Sequence, residues 1–176
     1  MTCISKCRLG VVTVEMIALL LLGQVASAEN SKDKPYRHSG VELPISLAIG
    51  TVRSPEFVAK HDLYQMKIEA EWLLPTVELR CKMGFGVVPP TDKCRAQAVL
   101  EVEWRVLDGG NVVARGSAGG ISGEFEASKD YLDRYIGQFQ GQSKHKYVVE
   151  LTFIKDGSSL NVTNPRLIVS PPDFAF

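Results

Sequence analysis

Tyr64-Gln65-Met66-Lys67-Ile68-Glu69-Ala70-Glu71-Trp72 alternates without a break, with Tyr64, Met66, Ile68, Ala70 and Trp72 on one side and Gln65, Lys67, Glu69 and Glu71 on the other. Successive side chains of an extended strand point to opposite faces, so this is the signature of a half-buried antiparallel strand. Ala98 to Val106 repeats it, with Ala98, Leu100, Val102, Trp104 and Val106 inward and Glu101, Glu103 and Arg105 outward. Between the two segments, each of which carries one tryptophan, lies a stretch bounded by Cys81 and Cys94.

Further strands extend this pattern in both directions. Val41 to Ile49 places Val41, Leu43, Ile45, Leu47 and Ile49 at period two, and Pro44, which lacks an amide donor, puts that strand at a sheet edge. Leu73-Leu74-Pro75 ends the Tyr64 strand, and Pro75 suits the first position of a short helical turn through Thr76-Val77-Glu78-Leu79. Asp108-Gly109-Gly110-Asn111 is tight-turn composition, so Val112 to Ser117 is expected to return as a hairpin partner. Glu124-Phe125-Glu126 forms a brief strand in this reading. Ser128 to Phe139 changes period: Tyr131, Leu132, Tyr135, Ile136 and Phe139 fall on one helical stripe behind Ser128 as N-cap, although Gly137 weakens the helix. Tyr147 to Phe153 alternates again, Asp156-Gly157 turns it into Leu160 to Thr163, and Arg166 to Val169 closes the chain. Seven or eight strands with one or two short helices predict an all-β antiparallel sandwich.

The amino terminus has a basic start (Lys6, Arg8), an apolar run Met16 to Gly23 and then Ala26-Ser27-Ala28, the layout of a cleavable secretory signal over residues 1–28. The run is shorter than the roughly 20 apolar residues that a membrane span takes, so no membrane insertion is expected after cleavage. A polar arm, residues 29–40, then leads into one domain over residues 41–176. Removing residues 1–28 leaves 18 basic and 19 acidic side chains. That balance argues against nucleic acid as a partner, because phosphate recognition needs a basic patch.

Cys3 and Cys7 leave with the signal, so Cys81 and Cys94 remain as an even pair. In an oxidising compartment such a pair is most simply a disulfide. Closing a loop of this size restricts the unfolded chain and contributes about 3 kcal/mol in the chain-entropy account. A metal site would need two further ligands, and His38, His61 and His145 show no spacing that supplies them. No motif points to a cofactor, and no Gly-x-Ser-x-Gly elbow is present.

An immunoglobulin-like sandwich is what these pieces resemble, with Trp72 or Trp104 as the buried tryptophan and Tyr147 as the tyrosine that ties down a corner through its hydroxyl. Val149 stands where an antibody domain would place a cysteine, so Cys81 and Cys94 look like a loop staple and not an intersheet bridge. At finer grain, Trp72-Leu73-Leu74-Pro75, Cys81-Lys82-Met83-Gly84, Glu103-Trp104-Arg105-Val106, Arg134-Tyr135-Ile136-Gly137 and Gly157-Ser158-Ser159-Leu160-Asn161 are similar to an exported bacterial family catalogued as a domain of unknown function. The resemblance implies export and a sandwich, and no activity.

Three places then carry candidate function. The stapled loop offers Met83, Phe85, Val87 and Val88 as a preorganised apolar contact surface, or as a plug folded back on the end of the sandwich. Glu69 and Glu71 share one polar strand face and Glu101 and Glu103 another; as neighbours they would gather four carboxylates for Ca²⁺ or acid/base chemistry, and otherwise they are a solvated face. Asn161-Val162-Thr163 matches a glycosylation acceptor that a bacterial route would not use. The expected function is an exported, non-enzymatic binding or structural module of the bacterial envelope with a protein or envelope component as partner. The alternatives are a hydrolase or carbohydrate-active domain with a site of scattered residues, and a small-molecule or lipid carrier.

Overall fold

The computed structural model describes residues 40–85, 92–121 and 124–172; the signal, the arm before Gly40, His38, Val87 and Val88 lie outside the described residues. Among the described residues, ten strands form two antiparallel sheets. One sheet, here sheet A, orders β1 (Val41–Pro44), β10 (Arg166–Ser170), β4 (Leu63–Glu71), β8 (Tyr131–Gln140) and β7 (Phe125–Ala127). Sheet B orders β2 (Gly50–Arg53), β9 (Lys146–Phe153), β5 (Val102–Asp108) and β6 (Asn111–Ala118), with β3 (Phe57–Val58) also on β9. The all-β sandwich expected from alternation is the architecture, with ten strands where seven or eight were expected.

Period two works where the strand is regular. In β4, Tyr64, Met66, Ile68 and Ala70 are all fully buried, and in β9 Tyr147, Val149, Leu151 and Phe153 face the same core. The β5–β6 hairpin turns on Gly109 and Gly110, both at positive φ, as the tight turn requires. Tyr147 Oη accepts a hydrogen bond from the Gln142 amide at 3.0 Å, and Tyr64 Oη one from the Lys60 amide at 2.8 Å, so two inward rings also hold loop backbone. Phe57, Tyr64, Phe139 and Tyr147 pack as one aromatic group at that end, with Tyr64 and Phe139 stacked at 5.4 Å.

Four expectations are corrected. Val41 to Ile49 is not one strand: β1 stops at Pro44, and the chain crosses to the other sheet through Ile45 and Leu47 before β2. Their amides are satisfied in the crossing by Pro165 O and by Asn161 Oδ1, both at 2.9 Å. β1 does lie at the edge of sheet A, as Pro44 required. The Ala98 strand begins only at Val102, Ala98 and Leu100 being buried ahead of it in irregular backbone.

Ser128 to Phe139 is not a helix: β8 fills it, between β4 and β7. Leu132, Arg134 and Ile136 point inward, and a register shift opposite Met66/Lys67 then moves the inward phase to Gly137 and Phe139. A phase slip in a period-two pattern leaves apolar residues three and four apart, which imitates a helical stripe. Ser128 does accept amides as an N-cap would, from Asp130 and Tyr131, but the chain it starts is extended.

Leu160 to Thr163 is a 3-10 helix, Ser158–Thr163, and not a strand. Leu160 and Thr163, three apart, are both fully buried, and Asp156 Oδ1 accepts the Ser158 amide at 2.9 Å at the helix start. α1 (Thr76–Met83) runs a full turn beyond the expected helical turn, and α2 (Asp92–Gln97) joins it through the Cys81–Cys94 disulfide, with Cα atoms 4.9 Å apart. The bridge therefore staples two short helices beside the sheets and crosses neither.

Candidate binding surfaces

Met83 and Phe85 are packed and not displayed. Met83 is fully buried and Phe85 nearly so, with the Phe85 ring 4.6 Å from Phe125. Gly84 is the reason the chain turns inward here: at φ 85° it ends α1, and its amide bonds back to Cys81 O. Met83 and Phe85 therefore cannot form the exposed contact surface; burying them at the end of the sandwich removes their apolar area from water.

Arg134 is the group that sequence reading missed at this end. It projects inward from β8 and is fully buried, its Nη1 donating to Gly120 O at 3.1 Å and, more closely, to Met83 O. Its guanidinium lies 6.0 Å from the Phe85 ring centroid, and its Nε and Nη2 have no hydrogen-bond partner among the described residues. Burial pushes its pKa below the ordinary arginine value. The helical reading of residues 128–139 hid it, since a helix would have placed Arg134 away from the apolar stripe.

His61 and His145 are exposed, and His145 Nδ1 donates to Asp108 Oδ2 at 2.6 Å beside the β5–β6 turn. Among the described residues no group of three His, Cys, Asp or Glu side chains is placed to hold a metal ion.

The four-carboxylate arrangement is also corrected: Glu69 and Glu71 belong to sheet A, whereas Glu103 lies in β5 of sheet B, so the two pairs cannot be strand neighbours. Sheet A gathers a different set. Register aligns Arg166, Glu69, Asp133 and Glu126 in one row across β10, β4, β8 and β7. Arg166 bonds Glu42 at 2.6 Å and also Glu69, and Lys67 Nζ meets Glu126 at 2.7 Å. Glu69 and Asp133 are buried although both face away from the core. Glu42, Lys67, Glu126, Tyr131 and Asp133 line a recess of about 100 Å³ on this face. Beside it, burial and Glu124 push the Tyr135 hydroxyl up, against a smaller opposing effect of Lys67.

The outer face of sheet B has the opposite balance. Register aligns Arg53, Glu150, Arg105 and Arg115 across β2, β9, β5 and β6. Glu150, which is buried, takes both Arg53, at 3.4 Å, and Arg105. Arg115 stands exposed directly opposite Arg105. Arg105 and Arg115 border a shallow cleft lined also by Glu103, Val112 and Val113.

No helix of the described residues is long and apolar enough to cross a membrane. No protein-family model matches the chain, and no curated protein matches it. A crystal structure of a protein from Sulfurospirillum deleyianum is similar in fold, with a TM-score of 0.51 over 77% of this chain and 99% of that one, at 14% sequence identity.

Proposed function

We propose that the chain is an exported, non-enzymatic binding or structural module of the bacterial envelope, built as an immunoglobulin-like sandwich, and that it engages a protein or envelope component through a charged outer sheet face. The observation that carries this reading is where the charge sits. Apart from Arg134 at one end, aliphatic and aromatic side chains fill the space between the sheets, while the charged rows stand in fixed register on the two outer faces. Rigid strands are better platforms for recognition than loops, because their side chains lose little freedom on binding. The immunoglobulin-like comparison is supported by the Tyr147 hydroxyl bond to the backbone five residues upstream, whereas the disulfide, lying off the sheets, departs from the antibody pattern. Export is supported by that disulfide and by the signal-like amino terminus.

Fractionation of bacteria expressing the whole chain tests both parts. The expected result is a chain processed near Glu29 in the periplasmic or secreted fraction, cross-linked to a partner that is lost when Arg105 and Arg115 are both changed to glutamate. Retention in the cytoplasm with Cys81 and Cys94 as free thiols would overturn it.

One observation favours the hydrolase or carbohydrate-active reading: Glu42, Glu126 and Asp133 converge with Lys67 and Tyr131 on a single recess. Neighbouring carboxylates can divide acid and base roles when their environments separate their pKa values. Incubation with envelope glycans, with Asp133→Asn as control, decides it; turnover that survives the substitution does not come from this recess. A small-molecule or lipid carrier would need an apolar cavity where Met66, Ile68, Leu132, Val149 and Leu151 pack together.

A further inference from the structure

The four ends of the two sheets are not equally protected against another strand. β1 is four residues long and ends in Pro44, β7 is three residues long, and the β2/β3 edge is split into pieces of four and two residues. β6 is eight residues long, contains no proline, and among the described residues pairs only with β5. An edge strand of this length presents a row of unpaired backbone donors and acceptors, which proteins ordinarily shorten, break or cover.

The side chains on β6 say what could pair there. Arg105 and Arg115 are directly opposite one another across β5 and β6, a like-charge pair that is unfavourable by itself. The one carboxylate in the row, Glu150, is already shared by Arg53 and Arg105. Three arginines therefore meet one glutamate, and the cation in excess is Arg115, on the open edge. Val113, unpaired at the register shift between Val106 and Leu107, and Val112 are both about half exposed beside it. β6 itself holds no acidic residue, so a second copy pairing through the same edge would bring Arg115 no carboxylate.

We propose that β6 is a docking edge for an extended acidic polypeptide segment, which adds as a further strand of sheet B and sets a carboxylate opposite Arg115. Backbone hydrogen bonds supply the attachment, and the arginine and the two valines select a sequence that alternates acidic with aliphatic residues. The inference rests on the binding-module reading and names the class of partner.

The test titrates the full isotope-labelled chain with a synthetic octapeptide alternating valine and glutamate, and with its valine–lysine counterpart. The glutamate peptide is expected to shift the amides of residues 111–118, to bind about tenfold or more tightly than the lysine peptide, and to weaken with salt. Arg115→Glu should reverse that preference while leaving the amide spectrum of the core unchanged. Shifts centred on any other strand, equal binding of the two peptides, or a concentration-dependent dimer through residues 111–118 would overturn the assignment. If the envelope cross-link survives Arg115→Glu alone, the edge is wrong while the module reading stands.

Discussion

Gly137 shows how a single residue carries information that its type conceals. It lies in β8, and a Cβ placed on it would come within 2.6 Å of the Trp104 ring; Gly116 faces the same indole from the neighbouring strand β6. Trp104 thus fills the space between two glycines on different sheets, and both must lack side chains for the sheets to approach. Gly137→Ala is expected to destabilise the chain by about 1–3 kcal/mol through overpacking. Trp104→Leu in the same chain should recover part of the loss, as a double-mutant cycle in urea will show. Additive effects would mean that the two residues do not share this space. Arg134 is the opposite case, a buried charge with no carboxylate bonded to it among the described residues. Its two carbonyl acceptors return about 1.5–3 kcal/mol each, the donor being charged, against several for burying the ion. Arg134→Met should therefore leave stability unchanged or raise it by about 1–2 kcal/mol; a loss of that size would show that the guanidinium is a net support of the Met83–Gly120 end.

Among the elements, the regular strands were legible in the sequence and the irregular ones were not. Tyr64 to Ala70 and Tyr147 to Phe153 declare themselves because one unbroken inward face meets one core. The β5–β6 turn was equally clear, since Gly109 and Gly110 solve a backbone problem that few other residues can. β8 failed because a phase slip and an inward arginine broke its period, and Leu160 to Thr163 failed because its buried residues are spaced by three. The candidate site fared worse. The row Arg166, Glu69, Asp133 and Glu126 is created by strand order, and no local pattern announces which strands will be neighbours. The turn into the 3-10 helix carries a pH dependence. The backbone and side chain of Ser158 hold the exposed Asp156 carboxyl below its ordinary pKa. A depressed pKa stabilises the fold above the ordinary aspartate value, and that contribution is lost as pH falls through the folded value. Carboxyl resonances should show Asp156 titrating below the usual aspartate range. Asp156→Ala should cost stability near neutral pH and little in strong acid, and a gap between the two chains that persists in acid would refute the linkage.

Over the whole molecule, the disulfide and the sheets stabilise different things. The Cys81–Cys94 bridge spans 13 residues and joins α1 to α2, neither of which belongs to a sheet. Its contribution is expected to come from the unfolded chain, so replacing both cysteines with serine should lower stability by about 3 kcal/mol while the strand pairing persists. Strand pairing is held from the middle outward. β4 is bonded on both sides, to β10 and β8, and β9 to β5 on one side and to β2 and β3 on the other. β7 has one partner and three exposed residues. Amide exchange should accordingly be slowest in β4 and β9, approaching the global unfolding limit, and fastest among the strands in β7. In that double-serine variant the same order should hold, with the amides of β4 and β9 losing protection by a similar factor, because global unfolding has become easier. Selective loss around Met83 and Phe85, with β4 and β9 unchanged, would instead mean that the bridge holds only the end of the sandwich. That result would place the helices outside the cooperative unit.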